Sequence, residues 1–302
     1  MINLGLVGAG KWGKNYINTI NRMPGIRLAA VVSSNSETRN FVQTDVKLFS
    51  NWSSIIDLSL DGLILAVPPK VQTEIAMCAL KARLPLLLEK PMALDPKEAE
   101  KINKVSREQK VFILVNHIYL HHPVYMKLKQ LLINEGSEIK AIHTHSGNRG
   151  PFRKEWSALW DWGPHDLAMA LDLVKGPASV KKVSLIKRDK GNKKSGNYLI
   201  QLSLSNGATA ELKFGNLMPN RVRQLRVQTD TGEYIFDETS NNRLKHFTKS
   251  GAKNILVDDA MPLDNLLRYF VKHIKGAQAA GYGSNQAVQN IQLLADAEST
   301  LK

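Results

Sequence analysis

A glycine-rich turn near the N-terminus constrains the fold more than any other feature of this sequence. The apolar run Ile2–Val7 leads into Gly-Ala-Gly-Lys-Trp-Gly at residues 8–13, and apolar residues at helical spacing follow. Strand, glycine turn and helix in this order are typical of the first βαβ unit of a dinucleotide-binding domain. Gly8 allows the tight turn, Gly10 the close approach of a pyrophosphate, and Gly13 the packing of helix on strand. Glycine turns also occur for structural reasons alone, so the downstream sequence must support this interpretation.

The first 115 residues repeat an alternation of short apolar runs with helical spacing. Continuous apolar runs indicate buried parallel strands, and the alternation predicts a doubly wound parallel sheet. Ligands bind such sheets at the carboxyl ends of the strands, where residues 8–13, Pro68-Pro69 and Glu89–Pro91 fall. The later predicted strands are Arg27–Val32, Asp61–Val67, Leu84–Leu88 and Val111–Val115.

The end of the second predicted strand indicates which dinucleotide the chain prefers. An NAD-preferring domain usually places Asp or Glu here, but no acidic residue occurs before Glu37. The hydroxyls of Ser33 and Ser34 leave room for a 2′-phosphate, and Arg39 can supply positive charge. The alternative is that these are loop and N-cap residues ahead of a helix. The sequence predicts NADP, with NAD as the open alternative.

Composition limits the class of protein. The 302 residues exceed one typical domain and predict two, and 43% hydrophobic with 23% charged residues is ordinary for a soluble globular chain. No apolar run is long enough to span a bilayer, and the N-terminus lacks a signal-peptide pattern. Cys78 is the single cysteine, which excludes an intrachain disulfide and predicts a cytoplasmic protein.

The formal net charge of +14 raises the question of a polyanionic partner. Lysines and arginines are scattered, apart from local groups at Lys181-Lys182 and Lys187–Lys194, and no recognition helix or aromatic-interleaved basic motif is present. We therefore expect neither a nucleic-acid nor a membrane partner, and a small-molecule substrate instead.

Three of these motifs together resemble one family. The turn at residues 8–13, Pro68-Pro69 and above all Glu89-Lys90-Pro91 resemble the Gfo/Idh/MocA family, whose members are NAD(P)-dependent oxidoreductases acting on sugars, inositols and nucleotide-sugars. The resemblance implies that Lys90 lies near the nicotinamide and the reacting carbon; spacing alone is equally consistent with an exposed charge. Gln72 stands where many members have histidine. The implied cofactor contacts are Gly8, Gly10, Lys11, Trp12, Gly13, Ser33, Ser34, Arg39, Val67, Pro68, Glu89 and Lys90.

A second chemical motif lies at the start of a predicted helix in the second half. Asp161 and His165 match the family's Asp-x-x-x-His, and a histidine with a pKa of about 6.5 suits acid–base catalysis when a carboxylate orients it. The alternative is that Asp161 caps the helix and His165 packs in its first turn. The sequence around Asp161 is most similar to that of nucleotide-sugar 3-dehydrogenases, although the arginine that members of the family commonly carry near Leu120 is absent. The implied substrate contacts are Lys90, Asn148, Arg149, Asp161 and His165, and Arg149 and Arg153 could meet a diphosphate.

Several histidines invite a metal hypothesis, which the spacing does not support. No cysteine or carboxylate completes a ligand set at a familiar spacing, so we predict no metal site. The histidines concerned are His117, His121, His122, His143 and His145.

The remaining sequence, from Ala178 to Val257, is rich in alternating strands with Asn-Gly and Thr-Gly turns. We predict an α/β protein with an N-terminal Rossmann domain, a doubly wound parallel sheet, over residues 1–120. Residues 121–302 would form an α+β domain for substrate binding and oligomerisation, with a large, mostly antiparallel open sheet. The resemblance implies a homo-oligomer formed through this sheet.

The predicted function is an NAD(P)-dependent oxidoreductase that transfers a hydride between nicotinamide and a secondary alcohol or ketone of a sugar, nucleotide-sugar or cyclitol. Lys90, His165 and Asp161 are its predicted catalytic residues. The alternative is a non-catalytic dinucleotide-binding regulatory or scaffold protein of the same fold, whose signature would be loss of the lysine and the histidine. Both are present.

Overall fold

The computed structural model describes residues 1–276 and 282–301. The strands, in chain order, are β1 (Ile2–Val7), β2 (Ile26–Val32), β3 (Lys47–Phe49), β4 (Gly62–Leu65), β5 (Leu86–Leu88), β6 (Ile113–Val115), β7 (Ile139–Arg149), β8 (Ala178–Arg188), β9 (Gly196–Leu204), β10 (Thr209–Gly215), β11 (Leu217–Thr229), β12 (Glu233–Asp237), β13 (Leu244–Thr248) and β14 (Gly251–Asn254). The helices are α1 (Lys11–Arg22), α2 (Ser53–Ile56), α3 (Pro69–Lys81), α4 (Pro96–Gln109), α5 (Pro123–Glu135), α6 (Ala158–Leu173), α7 (Pro262–Lys275) and α8 (Tyr282–Thr300).

The chain divides into two compact units. Unit 1 comprises Met1–Asn116 and Leu263–Ile291, and unit 2 comprises His117–Pro262 and Gln292–Lys302. The predicted division at residue 120 places α7 in the second domain, whereas the structure groups it with the N-terminal sheet. The reason is apolar packing: the ring of Phe270 on α7 stacks on Phe112, with 6.1 Å between centroids.

Unit 1 contains a six-stranded sheet in the order β3-β2-β1-β4-β5-β6, with parallel pairing throughout. Strands β4 and β5 are fully buried, as expected when helices cover both faces of a parallel sheet. This confirms the predicted doubly wound parallel sheet. Strand β3 was not predicted, because it begins with an exposed lysine and has no fully buried residue, so it does not form an apolar run.

Unit 2 contains an eight-stranded sheet in the order β14-β13-β12-β11-β7-β10-β9-β8. Only β7 and β10 pair in parallel, so the prediction of a mostly antiparallel sheet is confirmed. Helix α6 packs against β7, β9 and β10. Side chains alternate along β7: Thr144 and Ser146 are buried, whereas His143 and His145 on the opposite face are partly exposed. The terminal hairpin β13–β14 was not predicted; no residue of β14 is buried, so it shows no buried alternation.

Among residues 1–276 and 282–301, no helix has both the length and the apolar character needed to cross a membrane. Residues 277–281 of the predicted loop Gly276–Gly283 lie outside the described residues.

Candidate functional site

The glycine turn between β1 and α1 has the geometry of a phosphate-binding loop. Gly8 has φ +97°, and a Cβ atom there would lie 2.4 Å from the Ala66 carbonyl oxygen. At Gly13 a Cβ atom would lie 2.0 Å from the Gly8 carbonyl oxygen, so a side chain at either position would collide with backbone. At Gly10 the space beyond the backbone is open.

Helix α1 therefore begins at an accessible backbone. Gly10 is its N-cap residue, and no side chain caps the helix. Backbone N–H groups at such an N-terminus, together with the helix dipole, favour an anionic group. Lys11 is exposed beside them, and Trp12 is 39% exposed. The turn thus fits the pyrophosphate of a dinucleotide.

The segment after β2 lacks the carboxylate that would repel a 2′-phosphate, but its arginine is engaged. Arg39 donates to the carbonyl oxygens of Val46 at 3.0 Å and Gln43 at 3.2 Å. Ser33 Oγ accepts a hydrogen bond of 2.8 Å from the Thr38 hydroxyl, and Ser34 is exposed. These hydrogen bonds hold the Arg39 guanidinium against main-chain carbonyls, and its contact with a 2′-phosphate remains a prediction.

The carboxylate of Glu89 links the glycine turn to the end of β5. Its Oε1 accepts hydrogen bonds from the Trp12 indole N–H, from the Tyr16 hydroxyl at 2.7 Å and from Asn116 Nδ2 at 2.7 Å. Burial raises the pKa of Glu89, opposed by these donors and by Lys90. Burial and the neighbouring carboxylate also raise the pKa of Tyr16. This carboxylate therefore binds the protein's own loop, and contact of Glu89 with a cofactor remains a prediction.

Gln72 clamps the main chain on both sides of Lys90. Its amide nitrogen donates to the Glu89 carbonyl at 2.8 Å and to the Pro91 carbonyl at 3.1 Å, and its Oε1 accepts from the Glu89 N–H at 3.1 Å. The side chain is fully buried. From sequence, Gln72 was only a departure from histidine; the one local signal was its position in the first turn of the helix after Pro68-Pro69. Lys90 itself is partly buried.

Helix α6 of unit 2 carries the other two predicted catalytic residues. Asp161 and His165 are four residues apart and so lie on one face of the helix. The N-cap position is Ser157, so the alternative in which Asp161 caps the helix is wrong. Asp161 is buried and accepts from Arg153 Nε at 3.3 Å. The Arg153 guanidinium is therefore paired with Asp161, so it is not an unpaired cation available to a diphosphate.

His165 is partly buried beside an aromatic ring. The ring of Tyr119 stands nearly perpendicular to the imidazole, at 85°, with 5.2 Å between centroids. Tyr119 lies one residue from the position where the family's arginine was expected. Burial raises the pKa of the Tyr119 hydroxyl.

Directly beside His165, Asp166 forms a buried ion pair that the sequence analysis missed. Asp166 accepts hydrogen bonds from the Ser146 hydroxyl and from Arg223 Nη1, the latter at 3.3 Å, and the Arg223 side chain is only 5% exposed. The Arg223 guanidinium lies 4.0 Å from the centroid of the Tyr119 ring. Burial raises the pKa of Asp166, and Arg223 opposes this. No local signal in the sequence pairs a strand arginine with this helix.

The other predicted substrate contacts lie at the end of β7. Asn148 and Arg149 are exposed, and the Asn148 Oδ1 accepts from the Arg149 N–H at 2.8 Å. Val67 and Pro68 follow β4, next to the backbone that faces Gly8. In the described part of the chain, no three His, Cys, Asp or Glu side chains cluster closely enough to hold a metal ion.

Comparison with known proteins places this geometry among oxidoreductases. Residues 2–117 match the sequence model of the family described as "Oxidoreductase family, NAD-binding Rossmann fold". UDP-N-acetylglucosamine 3-dehydrogenase of Acidithiobacillus ferrooxidans is 23% identical over 230 residues, which is 74% of this chain and 70% of that protein. The match to inositol 2-dehydrogenase of Corynebacterium glutamicum is shorter: it is 27% identical over 43% of this chain and 41% of that protein's length.

Solved structures extend the likeness over both units. A crystal structure from Magnetospirillum magnetotacticum MS-1 has 28% sequence identity and a TM-score of 0.87, covering 97% of this chain and 98% of that one. KijD10, a 3-ketoreductase from Actinomadura kijaniata solved with NADP and TDP-benzene, has 16% identity and a TM-score of 0.85, covering 99% and 97%. At that identity the second likeness concerns the fold alone.

Proposed function

We propose, from the match of residues 2–117 to the oxidoreductase family model, that this chain is a member of the Gfo/Idh/MocA family and an NAD(P)-dependent dehydrogenase or reductase of a sugar-like substrate. The substrate class is a secondary alcohol or ketone of a sugar, nucleotide-sugar or cyclitol. The named relatives, which include an inositol and a nucleotide-sugar dehydrogenase, support this class.

One observation carries the proposal. The Glu89 carboxylate binds the Trp12 indole of the glycine turn, while Gln72 holds the main chain on either side of Lys90. Lys90 is therefore connected, through the neighbouring Glu89, to the glycine turn that we propose binds the pyrophosphate. A surface lysine without a function would need no such fixed backbone.

The proposed roles follow from the chemistry of each side chain. When bound, the dinucleotide supplies or accepts the hydride at C4 of its nicotinamide. The Lys90 ammonium donates a hydrogen bond to the reacting oxygen and stabilises the negative charge that develops there. His165 takes the proton from the substrate hydroxyl during oxidation and returns it during reduction. Asp161 orients and tunes His165.

The proposed cofactor is NADP, with NAD as the alternative. The NAD-binding family description and the accessible N-terminus of α1 support a dinucleotide. The absence of an acidic residue between Val32 and Glu37 favours the 2′-phosphate. Gly8, Gly10 and Gly13 would hold the pyrophosphate, with Ser33 and Ser34 at the ribose.

We further propose a cytoplasmic homo-oligomer. The face of the unit 2 sheet opposite α6 carries a polar cavity of about 330 Å³, lined by side chains that include His143, His145, Lys213 and Arg226. We propose that the same face of a second copy of the chain occupies it. The particle mass from light scattering tests this, because the native protein should have the mass of an oligomer and Lys213→Glu that of a monomer. The single cysteine, Cys78, supports a reducing compartment.

The decisive experiment combines cofactor titration with turnover. NADPH and NADH are titrated by nicotinamide fluorescence, and sugars, inositols and nucleotide-sugars are then screened for NADP-dependent oxidation. Lys90→Met and His165→Asn should keep NADPH binding and lose about 10²-fold or more in kcat, as expected for a charge-stabilising group and an acid–base group. The exposed Lys101→Met is the matched control.

Each outcome has a distinct meaning. Full turnover in both variants would show that the assigned mechanism is wrong. Dinucleotide binding without turnover on any substrate would favour the regulatory or scaffold alternative. Binding of neither dinucleotide would make the glycine turn structural.

A further inference from the structure

We propose that Tyr119 and Arg223 are positioning residues that fix the orientation of the His165 imidazole. The inference rests on the proposed acid–base role of His165. It assigns a function to a buried ion pair that the catalytic roles above leave unused.

Four residues form a closed ring of contacts within unit 2. His165 and Asp166 are consecutive on α6, Asp166 pairs with Arg223 of β11 at 3.3 Å, and the Arg223 guanidinium lies 4.0 Å from the Tyr119 ring centroid. Tyr119 then closes the ring by its perpendicular contact with His165, at 5.2 Å between centroids. Each member is therefore held from two sides.

The chemistry of arginine explains why this side chain occupies the position. A guanidinium is planar, so it can stack on an aromatic face while donating in its own plane to a carboxylate. Arg223 is placed for both, because Asp166 accepts from its Nη1 while its Cζ lies over the Tyr119 ring. Lysine has the charge but not the plane, so it can satisfy Asp166 without holding Tyr119.

The ion pair is fixed on its far side as well. The Ser146 hydroxyl on β7 donates to Asp166, which is fully buried. The Trp162 ring, one turn before Asp166 on α6, has its centroid 5.5 Å from the Arg223 guanidinium. Arg223 thus contacts Tyr119 while Asp166 and Trp162 hold its guanidinium in place.

The consequence concerns the histidine ring. An imidazole that transfers a proton must present one particular nitrogen to the substrate oxygen, and rotation about its χ2 angle exchanges nitrogen for carbon. A perpendicular aromatic ring in contact restricts this rotation. Tyr119 and Arg223 therefore affect how often the imidazole is correctly oriented, without touching the substrate.

The test uses proton NMR of the full-length protein with isotope-labelled histidine, together with kinetics. The His165 ring resonances are assigned by their loss in His165→Gln. A nearby aromatic ring shifts these resonances by its ring current, so Tyr119→Leu should move them and Tyr119→Phe should not. Arg223→Lys preserves the charge for Asp166 and should move them in the direction of Tyr119→Leu. Lys140→Met, on β7 at the exposed ion pair with Glu138, is the control and should leave them unchanged.

Kinetics supply the second measurement. Arg223→Lys and Tyr119→Leu should lower kcat about 10-fold to 10²-fold with NADPH binding unchanged, as misorientation of a catalytic group does. Tyr119→Phe should restore most of the kcat lost in Tyr119→Leu, since it restores the ring.

Unmoved His165 resonances in both Tyr119→Leu and Arg223→Lys, or unchanged kcat in both, would overturn the inference. The two proposals fail separately. If His165→Gln retains turnover, the proposed function of His165 is wrong, whereas the resonances still report whether Arg223 holds Tyr119 against the imidazole.

Discussion

Glu89 in unit 1 and Asp166 in unit 2 are two partly or wholly buried carboxylates that the protein stabilises in different ways. Glu89 accepts hydrogen bonds from an indole, a phenol and an amide, all of them neutral donors. Asp166 accepts from one hydroxyl and from a buried guanidinium. Burial raises the pKa of both.

The difference lies in what happens when the negative charge is removed. At Glu89 a neutral group of the same shape leaves three neutral donors, each of which still has an acceptor. At Asp166 it leaves Arg223 as a charge without its partner in a buried site, which is far more costly. The Glu89 carboxylate thus holds a loop in place, whereas the Asp166 carboxylate is required to balance the buried charge of Arg223.

The largest expected effect is that of Asp166→Asn. We expect a loss of about 3–5 kcal/mol in the free energy of unfolding, because the variant leaves a buried arginine uncompensated. Denaturant unfolding followed by circular dichroism measures it. The control is Glu233→Gln, which breaks the partly exposed pair with Arg226 and should cost at most about 1 kcal/mol. If Asp166→Asn lost no more unfolding free energy than Glu233→Gln, the inference that Arg223 requires the negative charge of Asp166 would be contradicted.

An intermediate effect is expected when acid protonates His122, whose ring lies beside that of Tyr119. His122 Nδ1 caps α5 by accepting from the Val124 N–H at 3.3 Å, and burial lowers the pKa of His122 to about 4. A histidine with a lowered pKa binds fewer protons when folded, so this stability is present above pH 6.5 and is lost as the pH falls towards 4.

The variant His122→Asn retains a cap acceptor that does not titrate. Relative to it, the native protein should lose about 2 kcal/mol between pH 7 and pH 4.5. Hydrogen exchange of the α5 amides, measured at both pH values, checks this. His121, whose pKa burial also lowers to about 4, should leave a residual slope in the same direction. Equal pH dependence in variant and native protein would show that His122 is not the group responsible.

The smallest expected effect is that of Glu89→Gln, about 1 kcal/mol or less at pH 7, since the amide oxygen replaces the carboxylate as acceptor. The folded pKa lies above the ordinary 4.5, so the folded protein binds more protons and native stability falls as the pH rises from 4.5 through the raised pKa.

The deficit of Glu89→Gln should therefore be largest near pH 4.5 and shrink with rising pH, opposite to the trend at His122. Thermal unfolding across this range measures it. A deficit that grows with pH would mean that the ionised carboxylate is the form the loop requires.

Much of the fold could be predicted because its signals are local. The apolar runs of β4 and β5 and the glycines of the first turn each carry their meaning within a few residues. Strands β3 and β14 were missed, since β3 has no fully buried residue and β14 is exposed throughout, so neither forms an apolar run. The placement of α7 depends on Phe270 meeting Phe112, a contact between distant parts of the chain.

The sequence by itself determined which segments carry the candidate site residues: the glycine turn, Lys90 after a strand, and Asp161 with His165 on one helix face. Only the tertiary structure decided what holds these groups: Trp12 on Glu89, Gln72 astride Lys90, and Arg223 between Asp166 and Tyr119. The physical reason is that a motif is written in consecutive residues, whereas a buried polar side chain takes its partners from whichever elements folding brings beside it, and no spacing in the sequence records them.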